Sequence, residues 1–148
     1  MARMAMMFWG LLALVLALAL AALLWVRLAP SDPVRWHVDP ATVPEPSTPN
    51  FARREAIFPL PPAELAARLQ ALATAEGAER LAGDARHATF IARSRLMRYP
   101  DYISVRLEPA PEGTRLIAFS RSRFGHGDMG VNRARLKRWF AALDGAGR

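Results

Sequence analysis

The sequence predicts an α+β fold: an antiparallel meander sheet with two helices packed on one face, preceded by a single transmembrane helix. One uncharged, apolar run covers residues 5–26. Two stretches that alternate apolar and polar residues, 102–108 and 114–123, flank a short loop as in a β-hairpin. Two further segments repeat leucine or phenylalanine at helical spacing. Strands followed by a separate helix are typical of the α+β class.

The apolar run is long enough to cross a bilayer core, which takes ~20 residues. Trp9 and Trp25 lie near its ends, and Arg3 and Arg27 flank it, as is typical of a membrane-spanning helix. This pattern predicts a single-pass signal anchor.

A cleaved signal peptide is the alternative, because residues 17–19 have the small-residue form of a cleavage site. The apolar run continues to residue 26 beyond that point, which favours the uncleaved anchor. A very short tail before a long apolar segment resembles an export signal. We therefore expect the C-terminal domain to lie outside the cytoplasm.

Four parts are predicted along the chain: an N-terminal tail (1–4), the transmembrane helix (5–26), a proline-rich connector (27–49) and one domain (50–144). Six prolines in the connector argue against a helix or central strand and favour a semi-extended spacer. Trp36 and His37 are unusual in a linker. We expect them either to pack back onto the domain or to rest at the lipid interface.

The domain begins with a short strand, and Pro61 and Pro62 then open a helix, where proline is tolerated in the first turn. In the last helix, Leu136, Phe140 and Leu143 lie on one stripe. The predicted elements, in order, are strand 55–60, helix to residue 75, a weak strand 79–83, strands 88–96, 102–108 and 114–123, and helix 131–143.

Composition narrows the classes of partner. The chain has 20 basic and 13 acidic residues, a net charge of +7, and Lys137 as its single lysine. The basic residues are dispersed and no nucleic-acid motif occurs, so we expect no nucleic-acid partner. The sequence contains no cysteine, which excludes disulfides and thiol nucleophiles. His87, His126 and Asp128 lack ligand spacing, so we predict no metal and no cofactor.

Residues 120–133 combine the end of a strand, a glycine-rich turn and the start of a helix. Gly125, Gly127 and Gly130 show the G-x-G-x-x-G spacing of dinucleotide sites, but no parallel strand or acidic ribose ligand follows. We expect the glycines to permit positive φ angles in a tight turn.

Asp128 is expected to cap the helix near Val131, and Asn132 to form hydrogen bonds within the turn. The predicted structural signature turn consists of Gly125, Asp128, Gly130 and Asn132.

A nucleophilic triad could be drawn from Ser120 or Ser122 with His126 and Asp128. Neither serine has the strand–turn–helix context of a nucleophile elbow, and triads are defined by geometry rather than by nearness in sequence. We therefore predict no catalytic residue. An envelope hydrolase with an active site near residues 120–133 remains the alternative function.

Arginines form the best candidate binding surface, because guanidinium groups recognise phosphate and carboxylate through paired hydrogen bonds. Spacings of two on candidate strands predict that each pair projects from one sheet face. The candidate anion seat consists of Arg93, Arg95, Arg121, Arg123 and Arg133. The alternative is structural ion pairing of these arginines with Asp101, Glu108 and Asp128.

The segments SRLM at 94–97, PDYISV at 100–105 and SRSRFGHGDMGVNR at 120–133 resemble DUF1499, a bacterial family of uncharacterised domains with the signature S-R-S-R-x-G-x-x-D-x-G-x-N-R. Family members often carry S-P-N followed by cysteine, whereas Phe51 stands at that position here. The resemblance implies a small envelope-associated domain and no known activity.

These features together predict a non-enzymatic binding or interaction module of the bacterial inner membrane, with its domain in the periplasm. Its expected partners are the lipid bilayer and an anionic envelope ligand or a protein.

Overall fold

The computed structural model describes residues 2–145. Its first helix, α1 (Ala2–Leu28), is the one helix within this range that is long and apolar enough to cross a membrane. Residues 2–4, predicted as a tail, continue this helix. Close to its end, Arg27 donates a hydrogen bond of 3.0 Å to the carbonyl oxygen of Leu96, in the turn that follows residue 94.

The elements after α1 are α2 (Pro33–Trp36), β1 (Phe51–Phe58), α3 (Pro62–Ala75), β2 (Glu79–Gly83), β3 (His87–Arg93), β4 (Pro100–Ala110), β5 (Gly113–Ser122) and α4 (Val131–Gly145). A five-stranded sheet forms the centre of the domain, with neighbouring strands antiparallel and in the order β1-β5-β4-β3-β2. Strands β2 to β5 form the predicted meander, and β1 pairs with β5 from Phe51 opposite Arg121 to Phe58 opposite Thr114.

Helices α3 and α4 pack against the sheet through the apolar stripes seen in the sequence. Leu65 and Leu69 of α3 join Leu136 and Phe140 of α4 in one buried cluster. The strands contribute every second residue to that cluster, including Ile103, Val105 and Leu107 of β4, because successive strand side chains point to opposite faces. The predicted α+β architecture is confirmed.

A two-residue turn, Pro111 and Glu112, joins β4 to β5. Gly113 follows it with φ +134°, and a β-carbon there would lie 2.1 Å from the carbonyl oxygen of Phe58. The close approach of β1 and β5 therefore requires glycine at this position.

The proline-rich connector folds back onto the other face of the sheet. Pro33 opens α2, and the carboxylate of Asp32 caps it by accepting a hydrogen bond of 2.9 Å from the Val34 N–H. The indole of Trp36 stacks on Tyr102 of β4 with ring centroids 4.0 Å apart. The prediction that prolines exclude a helix here is wrong, because proline is tolerated at the first helical position.

Further contacts attach this segment along the sheet. Arg53 of β1 donates hydrogen bonds to the carbonyl oxygens of Pro40 and Val43, and Arg106 of β4 pairs with Asp39. We call residues 31–43 the cover segment. This segment covers the face of the sheet opposite to α3 and α4. Tyr102, whose side chain lies on that face, is therefore only 1% exposed.

Two histidines join the cover segment to β3. Their rings stack with centroids 4.0 Å apart, and Nδ1 of His37 lies 2.9 Å from the hydroxyl of Thr89. The ring of His87 lies 3.0 Å from the carbonyl oxygen of Val38. Of the two alternatives for His37, packing onto the domain and resting at the lipid interface, the structure therefore shows the first.

We expect His37 to make the domain less stable as the pH falls below about 6.5. Burial, followed by the charge of His87, lowers the pKa of His37 from its ordinary value of 6.5, and Asp84 only partly opposes this. With a lowered pKa in the folded state, the unfolded chain binds more protons on acidification. The free energy of unfolding therefore falls as the pH drops from 6.5 through the folded-state pKa.

Urea midpoints at about pH 8 and about pH 5.5 measure this effect. His37→Asn keeps a polar atom near Thr89 but cannot titrate, so its midpoint should fall less than that of the wild type. His126→Asn, at an exposed histidine, serves as the control and should behave as the wild type. Equal falls in all three proteins would contradict the assignment to His37.

Candidate functional site

The signature turn connects β5 to α4, and hydrogen bonds to the side chain of Asp128 stabilise it. One carboxylate oxygen of Asp128 accepts a hydrogen bond of 3.0 Å from the Gly130 N–H, and the other accepts one of 2.8 Å from the Asn132 N–H. These bonds satisfy two backbone donors at the start of α4. Gly125 and Gly130 have φ of +89° and +79°. The capping role predicted for Asp128 and the positive φ expected of the glycines are confirmed for these residues.

Asn132 is the centre of a buried polar network and is fully shielded from solvent. Its oxygen accepts hydrogen bonds of 2.5 Å from Ser120 and 2.9 Å from Arg135. Its amide nitrogen donates to the hydroxyl of Ser122 at 2.9 Å and to the carbonyl oxygen of Asn50 at 3.1 Å. The expected hydrogen bond of Asn132 within the turn is the one from its backbone N–H to Asp128. Its side chain additionally connects α4 to β5 and to the residue before β1.

A buried ion pair adjoins this network. Arg135 of α4 lies 2.7 Å from the carboxylate of Asp101 at the start of β4, and both side chains are 10% exposed. Glu108 pairs with Arg106 and Arg115. These carboxylates therefore form structural ion pairs, as the alternative interpretation expected. Their partners, however, are Arg106, Arg115 and Arg135, which are not part of the predicted anion seat.

The predicted anion seat is divided by the structure. Strand β3 ends at Arg93, so Arg95 lies in a turn, and the prediction that this pair shares a strand face is wrong. Arg133 is exposed on α4. Arg121 lies on β5 and Arg123 directly follows that strand.

Arg121 and Arg123 meet around Trp36 of the cover segment. Their guanidinium carbons lie 4.7 and 5.8 Å from the centroid of the indole ring, and that of Arg35 lies 5.1 Å from it. A guanidinium group at these distances is attracted by the ring. We call Arg35, Trp36, Arg121 and Arg123 the arginine face.

Arg121 is partly buried in this face. It donates a hydrogen bond of 3.2 Å to the carbonyl oxygen of Arg35, while its buried Nε has no hydrogen-bond partner among residues 2–145. Burial, followed by the charge of Arg35, lowers the pKa of Arg121 from its ordinary value. The fold thus holds positive charges together at an electrostatic cost.

The triad considered from the sequence does not assemble. The hydroxyls of Ser120 and Ser122 bind Asn132, and no hydrogen bond within residues 2–145 joins His126 to either serine. In the same range, no three residues of the metal-binding types lie close enough to hold an ion.

Sequence reasoning missed Arg35, Asn50 and Arg135. One signal was available for Arg135, because it follows Asn132 by three positions and precedes Leu136, so helical periodicity places it on the buried side. A second was the tryptophan at position 36 in a segment that otherwise resembles a linker.

The family described as "Protein of unknown function (DUF1499)" matches residues 28–143. A comparison with curated proteins finds no match. Among solved structures, protein MLL2253 from Mesorhizobium loti is similar at 15% identity and a TM-score of 0.50, covering 64% of this chain and 94% of its own. Protein CV1439 from Chromobacterium violaceum is similar at 12% identity and a TM-score of 0.51, covering 67% and 98%. At these identities, the likeness concerns the fold alone.

Proposed function

We propose that this chain, which belongs to the DUF1499 family of proteins of unknown function, is a non-enzymatic binding module. In this proposal the module is anchored in the bacterial inner membrane and its domain lies in the periplasm. Its ligand is an anion held at the arginine face. The family supplies no activity, so the proposal rests on the chemistry of that face.

The observation that carries the proposal is the gathering of three guanidinium groups around one indole ring. Neither Arg35 nor Arg121 takes part in an ion pair with any residue between 2 and 145. Like charges brought close together repel each other. A bound phosphate or carboxylate would relieve that repulsion and accept several charge-assisted hydrogen bonds.

The location rests on separate support. Helix α1 is long and apolar enough to cross a membrane, and a tryptophan and an arginine lie near each end of its apolar run, as is typical of a membrane-spanning helix. We do not propose the alternative of a hydrolase near residues 120–133. A hydrolase of that kind needs a nucleophile beside a base, and both serine hydroxyls there are bound to Asn132.

Native mass spectrometry of the full chain, extracted from membranes in mild detergent, tests this proposal. The wild type should carry a recurrent bound mass. The double variant Arg121→Gln/Arg123→Gln should lose it, because each charge-assisted hydrogen bond contributes about 1.5–3 kcal/mol and two such losses weaken binding roughly a hundredfold or more.

The double variant Arg95→Gln/Arg133→Gln is the matched control. It removes the same charge from two arginines of the sequence-predicted seat that lie outside the arginine face, so it should keep the bound mass. A wild-type chain that carries no ligand, or a mass that survives in the Arg121/Arg123 variant, would show that the proposed site is wrong.

A further inference from the structure

We infer that the anion bound at the arginine face is the head group of a membrane amphiphile, and that the cleft beside the signature turn takes the apolar end of the same molecule. This inference rests on the proposed function and names its ligand class. Three features support it: the apolar walls of the cleft, the bonded carboxylates in its lining, and an arginine that borders both regions.

The cleft lies between the residues that precede β4 and the turn that precedes α4, and it has a volume of ≈330 Å³. Its walls are mainly apolar and come from Tyr99, Phe124, Met129 and Val131. The rings of Tyr99 and Phe124 lie 6.1 Å apart. Ligand sites span about 300–1,000 Å³, so this cleft suits one short apolar segment rather than a whole lipid.

The turn presents apolar groups to solvent at the mouth of this cleft. Met129 is fully exposed and has φ +51°, a conformation that costs free energy in a residue other than glycine. Gly125 and Gly127 contribute no side chain, which leaves the mouth open on their side. Exposed apolar groups grouped at a cleft are typical of a binding surface.

Two carboxylates line the cleft, and both are compensated. Asp101 is paired with Arg135 at 2.7 Å, and the two oxygens of Asp128 accept the backbone N–H groups of Gly130 and Asn132. Among residues 2–145, no basic side chain lines the cleft, so this part of the chain offers no positive charge there to an anion. An anionic head group must lie outside it, with only the apolar end inside.

Arg123 connects the two regions. Its guanidinium carbon lies 5.2 Å from the ring of Phe124, a wall of the cleft, and 5.8 Å from the ring of Trp36 in the arginine face. A molecule with an anionic head at Arg123 can therefore reach the cleft with its apolar end. Membrane lipids have this composition, and a membrane anchor confines the domain where their local concentration is high.

The test uses the full chain in phosphatidylcholine nanodiscs that contain a photoreactive lipid with a diazirine on the part of one acyl chain next to the glycerol. One probe is phosphatidylglycerol, and its twin is phosphatidylcholine with the same acyl chain. After illumination, trypsin releases residues 124–133 and 99–106 as separate peptides, because arginine precedes and ends each of them. Residues 4–27 of α1 report contact with bulk lipid.

The anionic probe should label peptide 124–133 at least about fivefold more than its neutral twin does, with both probes labelling residues 4–27 equally. Val131→Asp should reduce labelling of 124–133 to a similar degree. Val131 is 46% exposed in the first turn of α4, where a carboxylate favours the helix dipole, so this variant should stay folded. Val131→Thr retains the shape without the charge and should be labelled as the wild type is.

Equal labelling by the two probes, or labelling confined to residues 4–27, overturns the inference. The proposed function is judged separately by the bound mass in native mass spectrometry. If that mass depends on Arg121 and Arg123 while peptide 124–133 stays unlabelled, anion binding stands and the amphiphile is rejected. If both signals are missing, both proposals fail.

Discussion

Asn132→Ala is expected to destabilise the domain by about 4 kcal/mol, because it removes the centre of a buried hydrogen-bond network. Without this side chain, the hydroxyl of Ser120 loses its acceptor and the carbonyl oxygen of Asn50 loses a donor in the interior. An unsatisfied buried polar group costs about 1–3 kcal/mol. Urea unfolding of the variant, compared with the wild type, measures the loss.

Arg133→Ala provides the control from the neighbouring position. Arg133 is exposed, and substitutions at such positions usually change the free energy of unfolding by less than about 0.5 kcal/mol. A loss below about 1 kcal/mol for Asn132→Ala would mean that the surrounding groups find other partners, contrary to the role assigned here.

Asp101→Asn is expected to cost a similar amount, about 4 kcal/mol, because it leaves the guanidinium of Arg135 buried without its counter-charge. The substitution keeps the shape of the side chain, so the loss reports the missing charge rather than a cavity. The midpoint of urea unfolding measures this loss as well.

The double variant Asp101→Leu/Arg135→Met distinguishes the destabilisation caused by an unpaired buried charge from the net contribution of the ion pair to the free energy of unfolding. Replacing a buried ion pair with apolar residues is often neutral, so the double variant should be more stable than Asp101→Asn alone. Some loss should remain, because Arg135 also donates to Asn132. A double variant less stable than Asp101→Asn would contradict this interpretation.

The strands and helices could be predicted because each depends on local periodicity. The alternation at Ile103, Val105 and Leu107 fixes which side of β4 faces the two packed helices, and the prolines at 61 and 62 mark the start of α3. The packing of the cover segment on the sheet was predicted only as one of two alternatives, for a physical reason. Its attachment depends on the stacking of Trp36 on Tyr102, two residues far apart in the chain, and no periodic pattern encodes such a contact.

The candidate site was predictable only in part, for the same reason. Asp128 caps a helix a few residues away, so its role follows from local sequence. Asn132 forms a hydrogen bond with Asn50, a residue that lies far away in the sequence. Arg121 has Arg35 as a charged neighbour only because the cover segment folds back onto the sheet. Arg95 was misplaced because the alternation continues past the end of β3, and propensity alone does not mark where pairing with β4 stops.

Strand β1 is synthesised well before β5, the strand with which it pairs. β1 leaves the ribosome first among the strands, whereas β5, its partner in the sheet, leaves last. During the interval β1 has two unpaired edges, and exposed strand edges invite pairing with other chains. Arg53, Arg54 and Glu55 place three successive charges in the middle of this strand. Charges at such positions oppose premature association, so β1 is protected until Ser122 has been synthesised.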